Sequence, residues 1–413
     1  MLATPEIICE AAQLSRLQAL LPRWREAPLY HNRLPSRVNG ARLSRLPFTT
    51  KHEIRLDFPR NFLRPGQRLE TLLAEKRVEV EHTSGTSEER LPVLFGLDWW
   101  DGQEERALRL NSLVAGVLDR HPQARRATLT TPACNGRVCF SAFRSRSYRT
   151  AGATLFVNLA RIPFVLADSE MKRMADEIGE WAPQFLDVDP VHGAWFALHC
   201  ERQGIRFPAL KFVLCSYEFV SVVHRRILQR VFGAPVFNLY GSTETGHLVM
   251  EDERGDMKPV CENAYLEVVE PDERGIGDLV ATTLTNDYMP LLRYRIGDLV
   301  ERHEQPYGTA CLVHGRSRDV LSGRDGRRIT TLQADQCFAG ADGIAHYQLR
   351  QDKNKGLRLR LVFDGNGPAP EGLKEVVSRL ETLLEPPGKI AVEPVKLLPP
   401  TPSGKFRLTC RSP

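Results

Sequence analysis

The 413-residue sequence predicts an α/β protein with a large N-terminal domain and a small C-terminal α+β domain. Single hydrophobic cores stop growing at roughly 250–300 residues, so a chain of this length should form two domains. Before Gly315, apolar runs typical of strands alternate with helical patterns, as expected for a parallel sheet covered by helices. After Gly315 the order becomes strand, helix, strand, which can form a small domain of its own. We therefore predict domains at residues 1–316 and 317–413.

The individual elements follow from hydrophobic periodicity. The first helix is expected over 7–24, where apolar residues recur at helical spacing until Pro22 ends the pattern. The later patterns predict, in chain order, a helix at 106–118, strands at 127–131 and 154–159, a helix at 168–178, a strand at 210–215, a helix at 224–232, a strand at 236–240, and then a strand at 357–363, a helix at 373–384 and a strand at 389–398.

Composition excludes several classes of protein. Hydrophobic residues make up 42% and charged residues 26% of the chain, which is typical of globular proteins and unlike a disordered chain. No window offers the ~18 apolar residues of a membrane span, and the N-terminus lacks a basic start followed by an apolar run, so we expect a cytoplasmic location. The net charge of +5 comes from scattered arginines without interleaved aromatic residues, so we expect no nucleic-acid partner. Nine scattered cysteines without CxxC spacing favour buried reduced thiols over disulfides or a zinc site.

A hydroxyl-rich segment follows the alternating strand pattern that begins at Val78. Its sequence is His82-Thr-Ser-Gly-Thr-Ser-Glu-Glu-Arg90. The hydroxyls and the backbone amides around Gly85 could donate hydrogen bonds to phosphate oxygens. Taken alone, the segment fits an ordinary Ser/Thr/Gly loop equally well.

Two further segments carry candidate nucleotide-binding residues. Tyr240-Gly-Ser-Thr-Glu-Thr-Gly246 directly follows a predicted strand and supplies an aromatic face, hydroxyls and a carboxylate. A nucleotide needs a stacking surface, donors to its α-phosphate and a ligand for magnesium, so we interpret this segment as functional. In Leu292-Arg-Tyr-Arg-Ile-Gly-Asp298, the aspartate could accept hydrogen bonds from a ribose diol, although alone it fits the end of a surface hairpin better.

Basic residues mark the last two segments. Gly315-Arg-Ser-Arg-Asp has the composition of a turn between domains, and its arginines could be merely solvated. Pro399-Pro-Thr-Pro-Ser-Gly-Lys-Phe-Arg407 lies near the C-terminus, where a lysine on a Pro/Gly-rich loop is ordinarily exposed. Neither segment alone indicates a function.

Taken together and in this order, the segments resemble those of the adenylate-forming superfamily of acyl- and aryl-CoA ligases, adenylation domains and luciferases. Within the superfamily, the sequence is most similar to the phenylacetate-CoA ligase branch, because Leu46-Pro-Phe-Thr-Thr-Lys51 and Phe58-Pro59 resemble its opening segment. The likeness covers most of the chain. It implies an N-terminal domain of mixed sheets flanked by helices, and a small mobile C-terminal domain that carries a catalytic lysine.

The resemblance also implies roles for the matching residues. Tyr240 would flank the adenine, Thr243 would contact the α-phosphate and Glu244 would bind magnesium. Lys405 would bridge the carboxylate and the phosphate during adenylation. The other implied positions are the phosphate loop at Thr83, Ser84, Gly85, Thr86 and Ser87, further nucleotide contacts at Gly241, Ser242 and Arg316, the ribose contact at Asp298, and the hinge at Arg318.

The implied reaction is activation of a carboxylic acid by ATP to acyl-AMP and pyrophosphate, followed by transfer to coenzyme A. Attack of a carboxylate on the α-phosphate concentrates negative charge, so Lys405 and Mg²⁺ on Glu244 would dominate catalysis. Lys405 would act only in the first half-reaction, because the small domain of the family swings about the hinge. Close relatives form homodimers, but no stripe in this sequence demands one.

Several positions depart from the family pattern. The phosphate loop lacks its usual glycine and lysine after the hydroxyls, which makes Arg90 the candidate replacement for the lysine. Ser216-Tyr-Glu218 stands where the branch has Gly-Ala-Glu near the acyl pocket, and Asp189-Pro-Val-His192 stands where it has Thr-Pro-Ser-Tyr. The candidate pocket residues are Ser216, Tyr217, Glu218 and His247, of which His247 fits a structural role equally well. The expected substrate is an aryl or arylacetic acid that can differ from phenylacetate.

The sequence leaves three functions open. The first is an acid:CoA ligase, and the second transfers the same acyl-AMP to an amine or to a carrier-protein thiol. The third is a nucleotide-binding protein without catalysis, which the altered phosphate loop motivates and the retained Glu244, Asp298 and Lys405 oppose. ATP–pyrophosphate exchange, followed by a choice of acceptors, separates the three.

Overall fold

The computed structural model of the chain describes residues 5–8, 11–37, 39–83, 90–130, 145–157, 162–365 and 370–412. None of the helices in these ranges is long and apolar enough to cross a membrane. The helices are α1 (Ala11–Trp24), α2 (Gly40–Leu43), α3 (Lys51–Leu56), α4 (Leu69–Ala74), α5 (Trp99–Leu108), α6 (Ser112–Arg120), α7 (Asp168–Trp181), α8 (Pro190–Arg202), α9 (Val222–Phe232), α10 (Thr331–Gln336) and α11 (Pro370–Leu384).

The strands are short in the first half of the chain and longer in the second. They are β1 (Glu6–Ile7), β2 (Val78–His82), β3 (Pro92–Gly96), β4 (Arg126–Leu129), β5 (Thr150–Ala151), β6 (Thr154–Phe156), β7 (Phe185–Val188), β8 (Phe212–Cys215), β9 (Val236–Ser242), β10 (Gly246–Glu251), β11 (Met257–Pro259), β12 (Ala264–Val269), β13 (Ile276–Thr283), β14 (Tyr294–Gln305), β15 (Gly308–Arg316), β16 (Leu321–Ser322), β17 (Arg328–Ile329), β18 (Ile344–Gln351), β19 (Leu357–Phe363), β20 (Ala391–Pro394) and β21 (Thr409–Arg411).

The chain forms two compact units, each of which combines two separate stretches of sequence. Unit 1 comprises Met1–Ala115 and Leu239–Val313, and unit 2 comprises Gly116–Asn238 and His314–Pro413. Unit 2 therefore joins the C-terminal residues to a middle stretch of the chain, a grouping that local sequence patterns do not indicate. The division into domains 1–316 and 317–413 stays a prediction, because compact packing does not test which parts move as one body.

Unit 1 is built on an antiparallel sheet with the strand order β1-β12-β13-β14-β15. Every residue of β12 is buried, so both faces of this strand are covered. Helix α1 packs against β12 and contributes Leu17 and Leu21 to the hydrophobic core of the unit. The hairpin β2–β3, and the end of β9 paired with β10, complete the unit. The predicted α/β fold class, with sheets flanked by helices, is confirmed.

The first stretch of unit 2 contains the predicted parallel sheet. Its strands follow the order β5-β6-β4-β7-β8 and then the start of β9, and every pair except β5–β6 is parallel. Parallel strands need crossover connections, which helices α7, α8 and α9 supply. The carboxyl ends of β7 and β8 lead into Asp189 and Ser216, at the edge where α/β sheets bind their ligands.

The C-terminal stretch of unit 2 has the α+β composition that the sequence predicts. Its sheet has the order β20-β19-β18-β21, and α11 follows β19. Strand β19 matches the predicted strand at 357–363, whereas the strand expected at 389–398 is reduced to Ala391–Pro394. Helix α9 packs against β18, and Ile227 belongs to the same hydrophobic core as Leu359.

Two helix predictions are wrong in detail. The single helix expected over 106–118 is divided into α5 and α6, because Asn111 caps the second helix by accepting a hydrogen bond of 3.0 Å from the Val114 amide. Helix α1 begins at Ala11 rather than at Ile7, which lies in β1, and it runs through Pro22 to the expected end at Trp24. A proline so close to the last turn removes few helical hydrogen bonds, so it does not end the helix at its own position.

The cysteines agree only partly with the expectation of reduced thiols. Those that the structure describes as free and buried are Cys200, Cys215, Cys311, Cys337 and Cys410. Burial raises the pKa of the Cys200 thiol to about 12, so it has the properties of an inert core residue. The expectation is wrong for Cys261, which is disulfide-bonded.

A buried carboxylate joins α9 to α10 and β18 in unit 2. Asp335 accepts hydrogen bonds from the Ser221 hydroxyl, from the Val222 amide at 2.9 Å and from the Tyr347 hydroxyl at 2.7 Å. Burial raises the pKa of Asp335 to about 6, and these hydrogen bonds oppose the rise. Ser221 also caps α9, because its hydroxyl accepts from the Val223 amide.

A pair of buried histidines lies beside this contact. Nε2 of His224 and Nδ1 of His346 are 3.0 Å apart, and both side chains are excluded from solvent. Burial lowers the pKa of His224 to about 4 and lowers the pKa of His346 well below its usual value. Both imidazoles are therefore neutral in the folded protein near neutral pH.

Acid should weaken unit 2 through His224. A histidine whose pKa is lowered by folding binds fewer protons in the folded state, so the unfolding free energy falls as the pH drops from about 6.5 towards about 4. Between pH 7 and pH 5 the loss from His224 alone should be about 2 kcal/mol. The stability difference between wild type and His224→Phe, measured by urea unfolding, should therefore shrink by about 2 kcal/mol at pH 5.

A matched control for this measurement is Ile227→Ala on the same helix. It removes buried apolar volume without changing a titrating group, so its stability loss should be the same at both pH values. A stability difference for His224→Phe that does not depend on pH would contradict the lowered pKa. The comparison is made between variants because the raised pKa of Asp335 acts in the opposite direction in both proteins.

Candidate active site

The Tyr240–Gly246 segment forms a tight β-hairpin. Tyr240, Gly241 and Ser242 end β9, the turn contains Thr243 and Glu244, and Gly246 begins β10. A Cβ atom on Gly241 would lie 2.3 Å from the Gly246 carbonyl oxygen, so only glycine allows the two strands to approach this closely.

Hydroxyl groups also hold the turn of this hairpin. The hydroxyl oxygens of Ser242 and Thr245 are 2.9 Å apart, and the Thr245 amide donates to the Ser242 hydroxyl at 3.3 Å. Thr243 is half-buried in the turn between them. The predicted nucleotide contacts at Gly241, Ser242 and Thr243 therefore lie on one rigid turn, and their binding role stays a prediction.

Asp298 is paired with the tyrosine of the hairpin. The Tyr240 hydroxyl donates a hydrogen bond of 2.6 Å to Oδ2 of Asp298, which is only 5% exposed. Asp298 lies within β14, directly after Gly297, whose φ of +91° requires glycine. Asp298 is thus not at the end of a surface hairpin, and unit 1 brings it together with Tyr240; the nucleotide-binding roles of both residues stay predictions.

Glu244 is buried among polar partners that the sequence analysis did not assign. The Tyr294 hydroxyl donates a hydrogen bond of 2.9 Å to Oε1 of Glu244, and Nζ of Lys51 lies 3.9 Å from the same oxygen. Both partners belong to segments that the motifs had singled out, Tyr294 to Leu292–Asp298 and Lys51 to Leu46–Lys51. The hydroxyl of Tyr294 and the ammonium of Lys51 could have indicated partners for a carboxylate, but only the fold shows that they lie beside Glu244.

Local structure explains the position of Lys51. Thr50 and Glu53 form a capping box, in which the Thr50 hydroxyl accepts from the Glu53 amide and the Glu53 carboxylate accepts from the Thr50 amide at 2.8 Å. This box starts α3 at Lys51. The preceding residue, Thr49, donates its amide to the Arg293 carbonyl at 3.1 Å, which fixes the segment next to the start of β14.

The hydroxyl-rich loop connects β2 and β3. Thr83 closes the hairpin, because its amide donates to the Leu91 carbonyl at 3.0 Å and its hydroxyl accepts from the Leu91 amide at 2.9 Å. Arg90 is exposed, and its carbonyl accepts from Nε of Arg55 at 3.1 Å. The predicted phosphate-loop residues Ser84, Gly85, Thr86 and Ser87 lie outside the described residues. Whether Arg90 replaces the missing lysine therefore stays a prediction.

Lys405 lies on a turn that is closed by its own backbone. The Thr401 amide donates to the Lys405 carbonyl at 2.7 Å, and the Gly404 amide donates to the Thr401 carbonyl at 2.8 Å. Gly404 has φ +89°, a conformation that favours glycine. The Lys405 side chain is half-exposed, and among the described residues no carboxylate lies within ion-pair distance of its ammonium group.

Two of the candidate pocket residues make hydrogen bonds to one buried carboxylate in unit 2. The Ser216 hydroxyl donates to Oδ1 of Asp187 at 2.6 Å, and the Tyr217 hydroxyl donates to Oδ2 at 2.9 Å. The third, Glu218, accepts from the Phe406 amide with both carboxylate oxygens, at 2.9 and 3.1 Å. Their role in acid binding stays a prediction.

The surroundings of Glu218 shift the pKa of its carboxyl group. Burial raises the pKa of Glu218 well above its usual value, and the Asp189 carboxylate raises it further. The ammonium of Lys405 and the Phe406 amide act in the opposite direction. Unit 2 therefore brings Glu218 and the Lys405 turn together, although they are far apart in the sequence.

The remaining candidate, His247, lies in β10 of unit 1. Its side chain is buried, and its ring centroid is 5.1 Å from that of Trp100. Its carbonyl accepts from the Asn263 side chain at 2.8 Å. These contacts fit the structural role that the sequence left open, and lining of the acid pocket stays a prediction.

The predicted hinge is a single 3-10 turn at Ser317–Asp319. Arg318 is exposed there, and Arg316 is half-buried at the end of β15. Asp319 forms an ion pair with Arg407, and burial raises its pKa against the influence of this arginine. The roles of Arg316 and Arg318 stay predictions.

The residues around Glu244 fit a magnesium ion that is shared with a nucleotide. Mg²⁺ is commonly held by one or two carboxylates together with substrate phosphates rather than by a cage of protein ligands. Within the described part of the chain, no group of three or more His, Cys, Asp or Glu residues could hold a metal. Glu244, buried and held by the Tyr294 hydroxyl, offers the single carboxylate that such a site uses.

Known proteins match parts of this chain. Residues 321–412 match the CapK C-terminal domain. Protein CapK of Staphylococcus aureus is 23% identical over 198 residues, which cover 46% of this chain and 44% of that protein. Phenylacetate-coenzyme A ligase of Thermus thermophilus is 29% identical over 196 residues, which cover 42% of this chain and 43% of that protein. The matched region thus spans less than half the length of these curated relatives.

Solved structures match over more of the chain. A 2-hydroxyisobutyryl-CoA ligase in complex with 2-HIB-AMP superposes with a TM-score of 0.68 at 16% identity, covering 93% of this chain and 85% of that one. An amide bond synthetase of Marinactinospora thermotolerans superposes with a TM-score of 0.53 at 14% identity, covering 79% of this chain and 66% of that one.

These matches identify the fold. The chain has the fold of the adenylate-forming ligases, so the resemblance inferred from the motifs is confirmed at the level of the fold. The CapK domain and the phenylacetate-CoA ligase match support the branch that the sequence indicated.

Proposed function

We propose that this chain activates a carboxylic acid with ATP, forms an acyl-AMP and pyrophosphate, and then transfers the acyl group to coenzyme A. The observation that carries the proposal is the pair of buried carboxylates in unit 1. Asp298 is held by the Tyr240 hydroxyl, and Glu244 is held by the Tyr294 hydroxyl. The aspartate and the glutamate have the chemistry that a ribose diol and a magnesium ion need.

Nucleotide binding follows from the hairpin. The ring of Tyr240 offers a face for the adenine, while its hydroxyl keeps Asp298 oriented to accept from the ribose hydroxyls. Thr243 and the turn beside it supply hydroxyl and amide donors for the α-phosphate. The loop from Thr83 to Arg90 supplies further donors for the β- and γ-phosphates. Glu244 would hold Mg²⁺, which neutralises charge on the phosphate oxygens when bound.

The reaction is a displacement at phosphorus. A carboxylate oxygen of the acid attacks the α-phosphorus, a new C–O–P linkage forms, and the bond to the pyrophosphate oxygen breaks. The protein stabilises the added negative charge, and the ammonium group of Lys405 is suited to this as a point charge on a flexible stem. Its side chain is half-exposed and has no carboxylate partner within the described ranges, so its charge is available to the substrates.

The acceptor in the second step is proposed to be coenzyme A. The named activities of the phenylacetate-coenzyme A ligase and the 2-hydroxyisobutyryl-CoA ligase support this choice. The net charge of +5 favours a partner that carries phosphates. The fold similarity to an amide bond synthetase favours a second candidate, transfer of the same acyl-AMP to an amine. A carrier-protein thiol is the third possible acceptor.

The substrate class is proposed from the departures near β8. Ser216 and Tyr217 after β8, together with His247 in β10, are the candidate pocket residues, and the aromatic rings of Tyr217 and His247 suit an aryl or arylacetic acid. A chain that binds nucleotide without catalysis remains the least favoured alternative, because Glu244, Asp298 and Lys405 are all retained.

The test is acid-dependent exchange of labelled pyrophosphate into ATP, with a panel of aryl, arylacetic and short aliphatic acids. We expect exchange with at least one acid, since acyl-AMP formation is reversible. Coenzyme A, amines and a carrier protein are then offered in turn with that acid. Exchange without formation of any thioester would contradict coenzyme A as the acceptor and favour an amine or a carrier protein. Absence of exchange with every acid of the panel would favour the non-catalytic alternative.

A further inference from the structure

We propose that Glu218 is a positioning residue for the catalytic lysine, which it holds in place through the backbone of Phe406. This inference deepens the proposed function and rests on it for its kinetic consequences. It assigns Glu218 a role different from lining the acid pocket, the role that sequence position alone suggested.

The contact itself is a bifurcated hydrogen bond with one donor and two acceptors. Both carboxylate oxygens of Glu218 accept from the Phe406 amide, at 2.9 and 3.1 Å. Phe406 directly follows Lys405, so this contact fixes the end of the turn that carries the lysine. Among the described residues, Glu218 forms no ion pair with the lysine ammonium group. The carboxylate therefore acts on the backbone and leaves the charge of Lys405 available for substrate.

The side chain of Phe406 is held as firmly as its amide. Its ring is buried, with ring centroids 5.3 Å from His346, 6.0 Å from His192 and 5.8 Å from Phe164. The ring and the amide of one residue are thus fixed by separate parts of unit 2. Packing of the Phe406 ring stabilises the position of the turn, and the hydrogen bond from the Phe406 amide to Glu218 fixes the orientation of the turn.

The segment that carries Glu218 is itself constrained. Tyr217 has φ +73°, a left-handed conformation that is unfavourable for a bulky residue and persists only where the surroundings enforce it. The hydroxyls of Ser216 and Tyr217 donate hydrogen bonds to the Asp187 carboxylate, and the Glu218 amide donates to the Ser216 carbonyl at 2.9 Å. These contacts aim the Glu218 side chain at the Phe406 amide.

The kinetic test compares Glu218→Ala with Glu218→Gln. A misplaced catalytic group costs roughly 100-fold, so Glu218→Ala should lower kcat for pyrophosphate exchange about 10–100-fold, with KM for ATP and acid within about threefold of wild type. Glu218→Gln keeps an oxygen that accepts from the Phe406 amide, so it should retain at least about a third of wild-type kcat. Thioester formation from added acyl-AMP and CoA should stay within about twofold of wild type in both variants.

A matched control is Glu201→Ala, which removes a half-buried carboxylate of unit 2 that pairs with Arg230. It should leave both half-reactions unchanged. Two results would overturn the proposal. A raised KM for the acid at unchanged kcat would return Glu218 to the acid pocket, and an equal loss in both half-reactions would mean a general structural role.

A second measurement tests the hydrogen bond between Glu218 and the Phe406 amide independently of catalysis. Amide hydrogen exchange of the 401–408 segment reports the protection of the Phe406 amide directly. In Glu218→Ala this amide should exchange at least about tenfold faster than in wild type, and in Glu218→Gln it should stay protected. Equal protection of the Phe406 amide in wild type and Glu218→Ala would overturn the proposed positioning role of Glu218 even if the enzyme is active. If the wild type exchanges no pyrophosphate with any acid, the proposed function fails. The hydrogen-exchange measurement still tests whether Glu218 holds the Phe406 amide.

Discussion

Replacing Lys405 by alanine should lower acid-dependent pyrophosphate exchange at least about 100-fold, which corresponds to about 3 kcal/mol of lost transition-state stabilisation. The loss arises because charge builds up on the phosphate oxygens during attack by the carboxylate, and Lys405 is the proposed cation for that step. The turn should survive the change, because its hydrogen bonds at Thr401 and Gly404 are made by backbone groups. Initial exchange rates and the KM for ATP are measured for wild type and Lys405→Ala at saturating acid.

The half-reactions provide the control. Formation of the thioester from added acyl-AMP and CoA should stay within about threefold of wild type, because the proposed role of Lys405 ends with adenylation. Lys389→Ala removes an exposed lysine from the same C-terminal region and should change neither step. Wild-type exchange in Lys405→Ala would contradict the assignment of the catalytic lysine.

Replacing Glu244 by glutamine should lower exchange about 100-fold and raise the Mg²⁺ concentration for half-maximal rate at least about tenfold. Glutamine keeps an oxygen that can accept from the Tyr294 hydroxyl, so the variant loses a charge and keeps the hydrogen bond and the side-chain volume. The Mg²⁺ dependence of the exchange rate and the thermal midpoint of unfolding are measured for both proteins.

Two further variants separate the charge of Glu244 from its surroundings. Tyr294→Phe removes the hydrogen bond and keeps the carboxylate, so it should cost no more than about tenfold in rate. Glu273→Gln neutralises an exposed carboxylate of unit 1 and should have no effect on the Mg²⁺ dependence. An unchanged Mg²⁺ dependence in Glu244→Gln would remove Glu244 from the proposed metal site.

Local pattern was sufficient for much of the fold. The alternation in Leu357–Phe363 predicted β19 to the residue, and the strand–helix–strand order before Tyr240 predicted β8, α9 and β9. These elements are encoded by periodicity and by neighbouring residues, so a single sequence carries them. The same reasoning failed at 106–118, where one capping asparagine divides a continuous amphipathic pattern into two helices.

Long-range pairing explains what the sequence could not predict. Tyr294 and Glu244 are 50 residues apart, and Phe406 and Glu218 are 188 residues apart. No periodicity relates such positions, so motif order identified Glu244 and left its partner unassigned. The grouping of Gly116–Asn238 with the C-terminal residues in unit 2 has the same origin.

Burial changed the interpretation of individual side chains. Asp298, which alone resembled a surface aspartate, is buried and bound by Tyr240. Glu218, chosen from its place near the acyl pocket, instead contacts the lysine turn. In both cases the residue type was evident from sequence, whereas its environment depended on packing by distant elements.

Transfer of an oxygen label from the acid to AMP tests the central claim most directly. The acid that supports the fastest exchange is labelled with ¹⁸O in its carboxylate and incubated with ATP and CoA, and the nucleotide and phosphate products are analysed by mass spectrometry. Formation of an acyl-AMP leaves one carboxylate oxygen on the phosphorus, so the released AMP should carry one ¹⁸O atom. Label in inorganic phosphate with release of ADP, or unlabelled AMP beside labelled acid, would contradict activation through an acyl-AMP.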